Sequence, residues 1–324
     1  MTSYHCCCFA ITVSILCFIA SCSKNEVTLH IQQVDSHTGY DLNRVFFVND
    51  SVGYYCGGSR YTIGIVAHST NGGASWSAVD SAFPNACYSS WFFNPADGFL
   101  GSYEGYIAQT TDTANTFTRS QVTFNIPIVS LAFRTRQLGV AVAGLGYTLS
   151  KIYTTQDGGA TWAQAYSDSM HSLTSATFID DTTVIAVGYG IILRSGNSGR
   201  SFTVVKENGD FYQSIDFATT QLGYTVGYQG EVSKTTDRGS SWVPVRSSNG
   251  LWSSADHLLS VDFVNEYVGY AVGETGFMIR TNNGGADWQT IKPFTDKRLK
   301  SIHLFSATAG IIVGEGGSVY LFKE

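Results

Sequence analysis

The chain repeats one order of apolar and polar positions seven times. Each copy has an alternating apolar segment that ends in Phe, then a short polar turn, then the pattern Gly-aromatic-x-Val-Gly. Residues 260–263 (SVDF) and 269–273 (GYAVG) form the clearest copy. Alternation with a period of two predicts strands, and the glycines between them predict tight turns. The other copies join Phe46 to residues 53–57, Phe92 to 98–101, Phe133 to 139–142, Phe178 to 185–188, Phe217 to 223–227 and Phe305 to 310–314.

An eight-residue segment follows each of the first six copies. Its first position is Ser or Thr, its third is Asn or Asp, and its last is Trp or Phe. The third side chain can accept hydrogen bonds from amides ahead of it, and the neighbouring Gly tolerates a positive φ, so we predict a tight turn between strands. Asn115 and Asp287 depart from the pattern, which predicts looser turns in those two copies. The segments are residues 69–76, 110–117, 155–162, 195–202, 235–242 and 281–288.

The last aromatic residue of this segment measures the length of the repeat. It stands at positions 76, 117, 162, 202, 242 and 288, so the steps are 41, 45, 40, 40 and 46 residues. A repeat of about forty residues that consists of short strands is typical of a β-propeller blade. The seven copies predict an all-β fold, a single seven-bladed β-propeller that occupies residues 27–324.

The last copy lacks the eight-residue segment, because Glu324 ends the chain after a third strand. Residues 28–36 resemble the strand that follows the first such segment, residues 76–81, and Ile31 precedes Trp76 by 45 residues. We therefore predict that this N-terminal strand pairs with the C-terminal blade. Such pairing closes the ring and removes the exposed sheet edges of an open array.

Together the two motifs, F-x(5)-G-aromatic-x-V-G-x-x-G-x(4)-T-x-D/N-x-G-x-T/S-W, resemble the photosystem II stability and assembly factor-like propellers. That family belongs to the wider Asp-box, or bacterial neuraminidase repeat, group. The resemblance extends from Val27 to Glu324. It implies a propeller that holds a protein partner during envelope or photosystem assembly. It also implies that ligands bind on the face opposite the eight-residue turns.

The N-terminus resembles a bacterial lipoprotein signal. Residues 9–20 are an apolar run too short to span a bilayer comfortably, and the sequence Ile-Ala-Ser-Cys at 19–22 precedes a polar stretch. We expect removal of residues 1–21, lipidation of Cys22 and a tether over residues 22–26. Ser23 resembles the residue of lipoproteins sorted to the outer membrane. The segment before the apolar run has no Lys or Arg, so an uncleaved anchor or an ordinary signal peptide is the alternative.

Five of the seven cysteines lie in this N-terminal segment, which leaves Cys56 and Cys87. Cys56 occupies the position of Val272 in its repeat, and Cys87 lies near the entry to the next first strand. One disulfide between them is one alternative, and buried free thiols that act as small apolar side chains are the other, which we expect.

Composition excludes several classes of function. The net charge is −6 and there is no basic stripe, which argues against a nucleic-acid partner. The only basic run, residues 297–300, reads as a solvated loop. The seven histidines lack a metal-binding spacing, and the Gly-rich turns lack the helix and Lys of a phosphate loop. We therefore expect no metal, no cofactor and a monomer.

The candidate binding residues lie in the turns between second and third strands and in the loops between blades, which we expect on one face. Aromatic rings beside carboxylates at a concave mouth suit a peptide or a sugar. Turn residues repeated by duplication are the alternative reading. The candidates are Arg60, Tyr61, Tyr103, Glu104, Tyr189, Tyr228, Trp252, His257, Glu274 and Glu315.

An enzymatic role is the competing hypothesis, because Asp-box propellers include sialidases and xyloglucan hydrolases. The sialidase Arg-Ile-Pro motif is absent; Arg44 and the Ile126-Pro127 pair are the nearest approaches. Two facing carboxylates among Glu104, Glu274 and Glu315 would favour a glycosidase, whereas a broad Tyr-lined rim would favour binding. We predict a membrane-anchored, non-enzymatic scaffold for a protein partner, with a glycoside hydrolase or a lectin that binds glycan as the alternative.

Overall fold

The computed structural model describes residues 27–79, 83–247 and 257–324. The predicted signal, Cys22 and Trp252 lie outside the described residues. No helix in the described part is long and apolar enough to cross a bilayer. The strands are β1 (His30–Val34), β2 (Leu42–Phe47), β3 (Gly53–Ser59), β4 (Ile63–Ser69), β5 (Ser77–Val79), β6 (Cys87–Phe92), β7 (Gly98–Ser102), β8 (Tyr106–Thr110), β9 (Thr118–Gln121), β10 (Ile128–Phe133), β11 (Gly139–Leu145), β12 (Leu149–Thr155), β13 (Ala163–Asp168), β14 (Leu173–Phe178), β15 (Val184–Ser195), β16 (Thr203–Phe217), β17 (Gly223–Gly227), β18 (Val232–Thr235), β19 (Val243–Arg246), β20 (Leu258–Phe263), β21 (Gly269–Gly273), β22 (Met278–Thr281), β23 (Gln289–Ile291), β24 (Leu299–Ser306), β25 (Ala309–Gly314) and β26 (Val319–Lys323). In the described residues, 3-10 turns cover Glu274–Gly276 and Glu315–Gly317.

These strands form a β-propeller of six blades, so the prediction of seven blades is wrong. Blades 1, 2 and 3 are β2–β5, β6–β9 and β10–β13; blade 4 is the six-stranded sheet β14–β19; blade 5 is β20–β23; and blade 6 is β24–β26 with β1. The seven sequence repeats are all present as strands. Two of them, those of Phe178 and Phe217, share blade 4.

Blade 4 is continuous because two long strands extend through what are turns and loops elsewhere. β15 pairs with β14 over residues 184–188 and with β16 beyond them. β16 pairs first with β15 and then, from Tyr212 onward, with β17. The pairing of Tyr189 with Phe211 bridges the two repeats, so one sheet forms where two are expected.

The N-terminal strand closes the ring, as predicted. β1 lies antiparallel to β26, with His30 opposite Lys323 and Val34 opposite Val319. Just after β1, the hydroxyl of Tyr55 in blade 1 donates to the Ser36 carbonyl oxygen at 2.6 Å. The N-terminal segment therefore joins the last blade to the first.

The repeated Phe and Gly residues are required because the first and second strands of each repeat pack closely. In blade 5, the ring of Phe263 covers Gly269, where an added Cβ would lie 2.5 Å from the ring. At Gly273 an added Cβ would lie 1.7 Å from the His257 carbonyl oxygen. The second strand thus approaches the first so closely at both ends that only Gly fits.

The eight-residue segments form the predicted turns, and all six use the same bonds. In residues 155–162 the Thr155 hydroxyl donates to Asp157 at 2.8 Å and accepts from the Gly159 amide at 2.8 Å, while Asp157 accepts from the Thr161 amide at 2.9 Å. The copy with Asn115 keeps these bonds at 2.9 to 3.0 Å. The copy with Asp287 does so too, so the predicted looser turns are not observed.

The first strands of the repeats, β2, β6, β10, β14, the end of β16, β20 and β24, surround a central channel; we call them the inner strands. Each contacts the next, and β24 contacts β2. The third residue of the inner strand is Ser in six repeats and Arg44 in β2. Ser214, Ser260 and Ser301 accept the amides of Val261, Ile302 and Val45 at 3.2 to 3.3 Å. These hydroxyls satisfy edge amides that no strand pairs with.

Two aspartates on the inner strands have the same role deeper in the channel. Asp216 accepts the Phe263 amide at 2.8 Å, and Asp262 accepts the Leu304 amide at 2.6 Å. Burial, and then the neighbouring charge of Asp216, raise the pKa of Asp262 to about 8. The Asp262 side chain is 25 % exposed. At neutral pH the fold therefore favours the protonated form of Asp262.

Removal of residues 27–36 should lower the unfolding temperature of the whole propeller in a single transition. The deletion exposes the edge of β26 and removes the Tyr55 bond to Ser36, so both ends of the ring are freed. We expect a fall of roughly 10 °C, which is a few kcal/mol for a domain of this size. Thermal unfolding followed by circular dichroism tests it. An unchanged midpoint, or a separate early transition of one blade, would contradict ring closure as the source of cooperativity.

Asp262→Asn should make the protein more stable than wild type at pH 9 but not at pH 5. A carboxyl whose folded pKa exceeds its unfolded value of about 3.9 contributes stability that falls as pH rises between the two values. Asn keeps an acceptor for the Leu304 amide and has no charge. Urea unfolding of both proteins at each pH gives the comparison, with the exposed Asp296→Asn as control. Equal pH dependence in wild type and Asp262→Asn would refute the assignment.

Candidate binding site

A repeated hydrogen bond fixes one face of the propeller, which we call the loop face. In every repeat an amide of the turn between second and third strands donates to a carbonyl just before or at the start of an inner strand. The turns thereby lie against the loops between blades around the channel mouth. The donor and acceptor pairs are Gly58 and Asp41, Tyr103 and Ala86, Gly144 and Pro127, Tyr189 and Ser172, Tyr228 and Phe211, Glu274 and His257, and Glu315 and Arg298, at 2.8 to 3.1 Å.

Four residues of blades 1 and 2 form what we call the first aromatic cluster: Arg60, Tyr61, Tyr88 and Tyr103. The Arg60 guanidinium lies 5.5 Å from the centre of the Tyr103 ring. Tyr61 packs edge-on against Tyr103 at 5.2 Å, and their hydroxyls are 3.5 Å apart. Hydrogen bonds to Tyr61 and Tyr88 raise the pKa of Arg60. The cluster is a fixed cation held among phenol rings.

Five residues of blades 3, 4 and 5 form the second aromatic cluster: Tyr147, Tyr189, Phe211, Tyr228 and His257. Successive ring centres are 5.2 Å apart from Tyr147 to Tyr189, 6.3 Å from Tyr189 to Tyr228 and 5.0 Å from Tyr228 to His257. Tyr147 is 68 % exposed. Burial raises the pKa of Tyr228 to about 12, so its hydroxyl remains a donor. The cluster is a row of neighbouring rings whose faces are apolar and whose ends carry polar groups.

A pocket of about 260 Å³ lies between the two clusters. Arg60, Tyr88 and Tyr103 line one side of it, and Tyr189 lines the other. Tyr88 and Gln213 also line the central channel, so the pocket is part of the channel mouth. A concave site with aromatic walls and a few polar groups is typical of ligand recognition.

The central channel behind this mouth has a cavity of about 340 Å³. Arg44 extends into it, and within the described residues no carboxylate lies at ion-pair distance from its guanidinium. Burial in the channel lowers the pKa of Arg44, while the charges of Asp262 and Asp216 act in the opposite direction. Burial lowers the pKa of His303 to about 4, so this imidazole is neutral at pH 7. The channel is polar, and Lys300, Asp216 and Asp262 also line it.

The three glutamates predicted on this face do not form a facing pair of free carboxylates. Glu274 accepts from the Arg298 side chain at 2.7 Å, and Glu315 accepts from the Arg298 amide at 3.2 Å. Arg298 therefore lies between them. Glu104 is exposed on its turn in blade 2. Of the three glutamates, Glu274 forms an ion pair with the Arg298 side chain, and Glu315 is bonded by the Arg298 backbone amide.

The structure places nine of the ten predicted binding residues on the loop face, and Trp252 lies outside the described part. It gathers Arg60, Tyr61 and Tyr103 in one cluster and Tyr189, Tyr228 and His257 in the other. Tyr88, Tyr147 and Phe211 complete these clusters; the sequence places their loops on this face, but they are not among the ten candidates.

The basic run at residues 297–300 was predicted to be a solvated loop, but its residues contact the loop face and the channel. Lys300 bonds Asp41 at 2.7 Å and lines the channel. From the sequence, Arg44 is only the nearest approach to a sialidase motif, and the channel residues Asp216, Asp262 and His303 are not predicted. When the seven repeats are aligned with each other, Arg44 stands out, because the other six repeats have Ser at this position.

No group of three or more His, Cys, Asp or Glu side chains that could hold a metal ion is found in residues 27–79, 83–247 and 257–324.

Sequence comparison relates the C-terminal part of the chain to a known family. Residues 200–320 match the family model described as Photosynthesis system II assembly factor YCF48. A comparison with curated proteins finds no match.

Solved structures share the fold at low sequence identity. A structure described as YCF48 bound to D1 peptide has a TM-score of 0.70 at 14 % identity and covers 93 % of this chain and 98 % of its own. YCF48 from Cyanidioschyzon merolae has a TM-score of 0.65 at 16 % identity, with 90 % and 98 % covered. The WD40 β-propeller domain of Doa1 has a TM-score of 0.66 at 13 % identity, with 91 % and 97 % covered. At these identities the structures show the propeller fold alone.

The predicted resemblance is therefore confirmed for the C-terminal part of the chain: residues 200–320 match the model of the photosystem II assembly factor family, and the described strands form a β-propeller.

Proposed function

We propose that this protein is a non-enzymatic scaffold that holds an extended peptide segment of a protein partner across its loop face. The observation that carries the proposal is the pair of aromatic clusters on either side of the mouth pocket. Aromatic side chains and Arg supply most of the binding energy at protein interfaces. A peptide laid across the mouth would contact both clusters and the pocket between them.

The similarity to an assembly factor family supports a peptide as the ligand. A YCF48 structure with bound D1 peptide has the same fold. In this chain, the rings of Tyr147, Tyr189 and Tyr228 offer flat apolar surfaces along the rim. Arg60 supplies a fixed positive charge at the opposite side of the mouth. These features suit a peptide with apolar side chains and a carboxylate, and they do not require a particular host.

The arrangement of acids argues for binding over hydrolysis. A glycosidase needs two carboxyl groups about 5 to 10 Å apart with one of them free to transfer a proton. Glu274 and Glu315 are both engaged by Arg298, whereas the mouth carries the Tyr-lined rim expected of a binding protein. A lectin-like glycan site is the alternative ligand class for the same rings.

A lipid on Cys22 would place this scaffold on a bacterial envelope membrane, with the outer membrane as the destination that Ser23 suggests. His30 pairs with Lys323, beside the turn in which the Glu324 amide bonds the Thr308 carbonyl. The described chain thus begins on the face opposite the candidate site. An anchor attached there leaves the loop face free for a partner.

Replacement of Tyr147 by a photo-cross-linking phenylalanine analogue should capture the partner from the protein's own membrane fraction. The same analogue at Tyr267 is a matched control, because that Tyr is 58 % exposed and lies on the opposite face. We expect one cross-linked product from position 147 and none from position 267. Equal products from both positions, or none from 147, would contradict a loop-face site.

Tyr189→Ala should then weaken binding of the captured partner's cross-linked peptide about fivefold or more, because truncation of an interface aromatic that dominates binding costs over about 1 kcal/mol. Titration by fluorescence anisotropy measures it, with Tyr267→Ala as control. Hydrolysis assays on sialosides and xyloglucan test the alternative. Turnover by wild type that Glu274→Gln or Glu315→Gln abolishes would overturn the binding-scaffold proposal.

A further inference from the structure

Two buried thiols from neighbouring blades lie in one apolar cluster. Cys56 is on β3 of blade 1, where it pairs with Arg44 of β2, and Cys87 begins β6 of blade 2. Both thiols are free and fully buried, as the sequence predicts, and both pack in the cluster that contains Phe83 and Leu100. The cluster therefore spans the junction between the two blades.

The two thiols are neighbours within this cluster. The Cys87 thiol interacts with the Cys56 thiol, and it lies 3.5 Å from the Ser89 carbonyl oxygen. The Asn43 amide donates to the Cys87 carbonyl oxygen at 2.9 Å, which fixes the start of β6 against β2. A disulfide requires Cβ atoms about 3.5 to 4.5 Å apart. For the bond to form, the two side chains must rotate to that geometry within the cluster that they share.

The two cysteines lie at the junction of blades 1 and 2, where the inner strands lack a Ser bond. Most junctions between inner strands carry a Ser whose hydroxyl bonds the adjacent strand, but at the junction of blades 1 and 2 this position is Arg44. The Arg44 side chain extends into the channel instead. The Asn43 bond and the Cys56 contact therefore hold blades 1 and 2 together where the Ser is missing.

We propose that Cys56 and Cys87 form a disulfide when the chain folds in the presence of a disulfide oxidant, and that this bond joins blade 1 to blade 2 behind the mouth pocket. Tyr88, which follows Cys87, lines both the pocket and the channel. Arg44, opposite Cys56, lines the channel. The bond would fix both residues relative to each other.

The chemistry is thiol–disulfide exchange with a small-molecule or protein disulfide as the oxidant. One cysteine thiolate attacks the oxidant, forms a mixed disulfide and releases one thiolate of the oxidant. The second cysteine thiolate then attacks the protein sulfur of the mixed disulfide and releases the other thiolate. The protein loses two protons and two electrons, and the oxidant is reduced to two thiols.

Burial determines when this exchange takes place. Desolvation in the core, and then the contact with Cys56, raise the pKa of the Cys87 thiol well above its ordinary value. The reactive thiolate is therefore scarce in the folded protein, and an oxidant has no access to the buried sulfur. Exchange should be fast during folding and slow once the two blades have packed.

Refolding of the full chain with oxidised glutathione, followed by alkylation and trypsin, tests the proposal. Trypsin separates the relevant cysteines, because Cys56 falls in residues 45–60, Cys87 in residues 61–119 and the other five in residues 1–24. Mass spectrometry should find residues 45–60 linked to residues 61–119 as the main product. Fully alkylated Cys56 and Cys87, or links mainly to residues 1–24, would overturn the proposal.

The unfolding temperature gives a second readout that does not depend on mass spectrometry. Oxidised wild type should unfold several degrees above the same protein treated with reductant, because the bond restricts the unfolded chain. The Cys56→Ser/Cys87→Ser variant should show no change with reductant. A wild-type midpoint that reductant does not move would contradict the proposed bond. Neither result depends on partner binding, so failure here leaves the proposed scaffold function intact.

Discussion

The structure depends on how the amides at the inner edge of each sheet are satisfied. A propeller exposes one strand edge of every blade to its channel, and unpaired amides there would cost stability. In this chain Ser214, Ser260 and Ser301, together with Asp216 and Asp262, accept those amides from the next inner strand. The bond from the Val45 amide to Ser301 joins the last inner strand to the first, and the pairing of β1 with β26 completes the last blade.

This ring also positions the candidate site. Because the turn of every repeat bonds to the start of an inner strand, the side chains of those turns gather around the mouth. The two aromatic clusters are therefore held by backbone bonds and ring contacts rather than by flexible loops. Rigid placement of a site lowers the entropy that a ligand must overcome on binding.

Much of the candidate site follows from the repeats, but part of it does not. Tyr189 and Tyr228 occur at the same position of successive repeats, so a propeller places both on one face. The contact between Arg60 and Tyr103 joins two blades, and no local pattern in the sequence encodes it. Arg298 was not predicted as part of the site, because a basic run in a loop is usually solvated. The fold brings Glu274 to its side chain and Glu315 to its backbone amide.

The sequence by itself determined the all-β propeller, the seven repeats, the turn chemistry and the closing N-terminal strand. Each of these depends on local periodicity or on spacing along the chain. Only the tertiary structure decided that the repeats form six blades, because the pairing of Tyr189 with Phe211 joins two repeats in one sheet. It also decided that Cys56 meets Cys87 and that Arg44 enters the channel. These outcomes depend on how closely neighbouring backbones approach, and that distance is set by packing between repeats rather than within them.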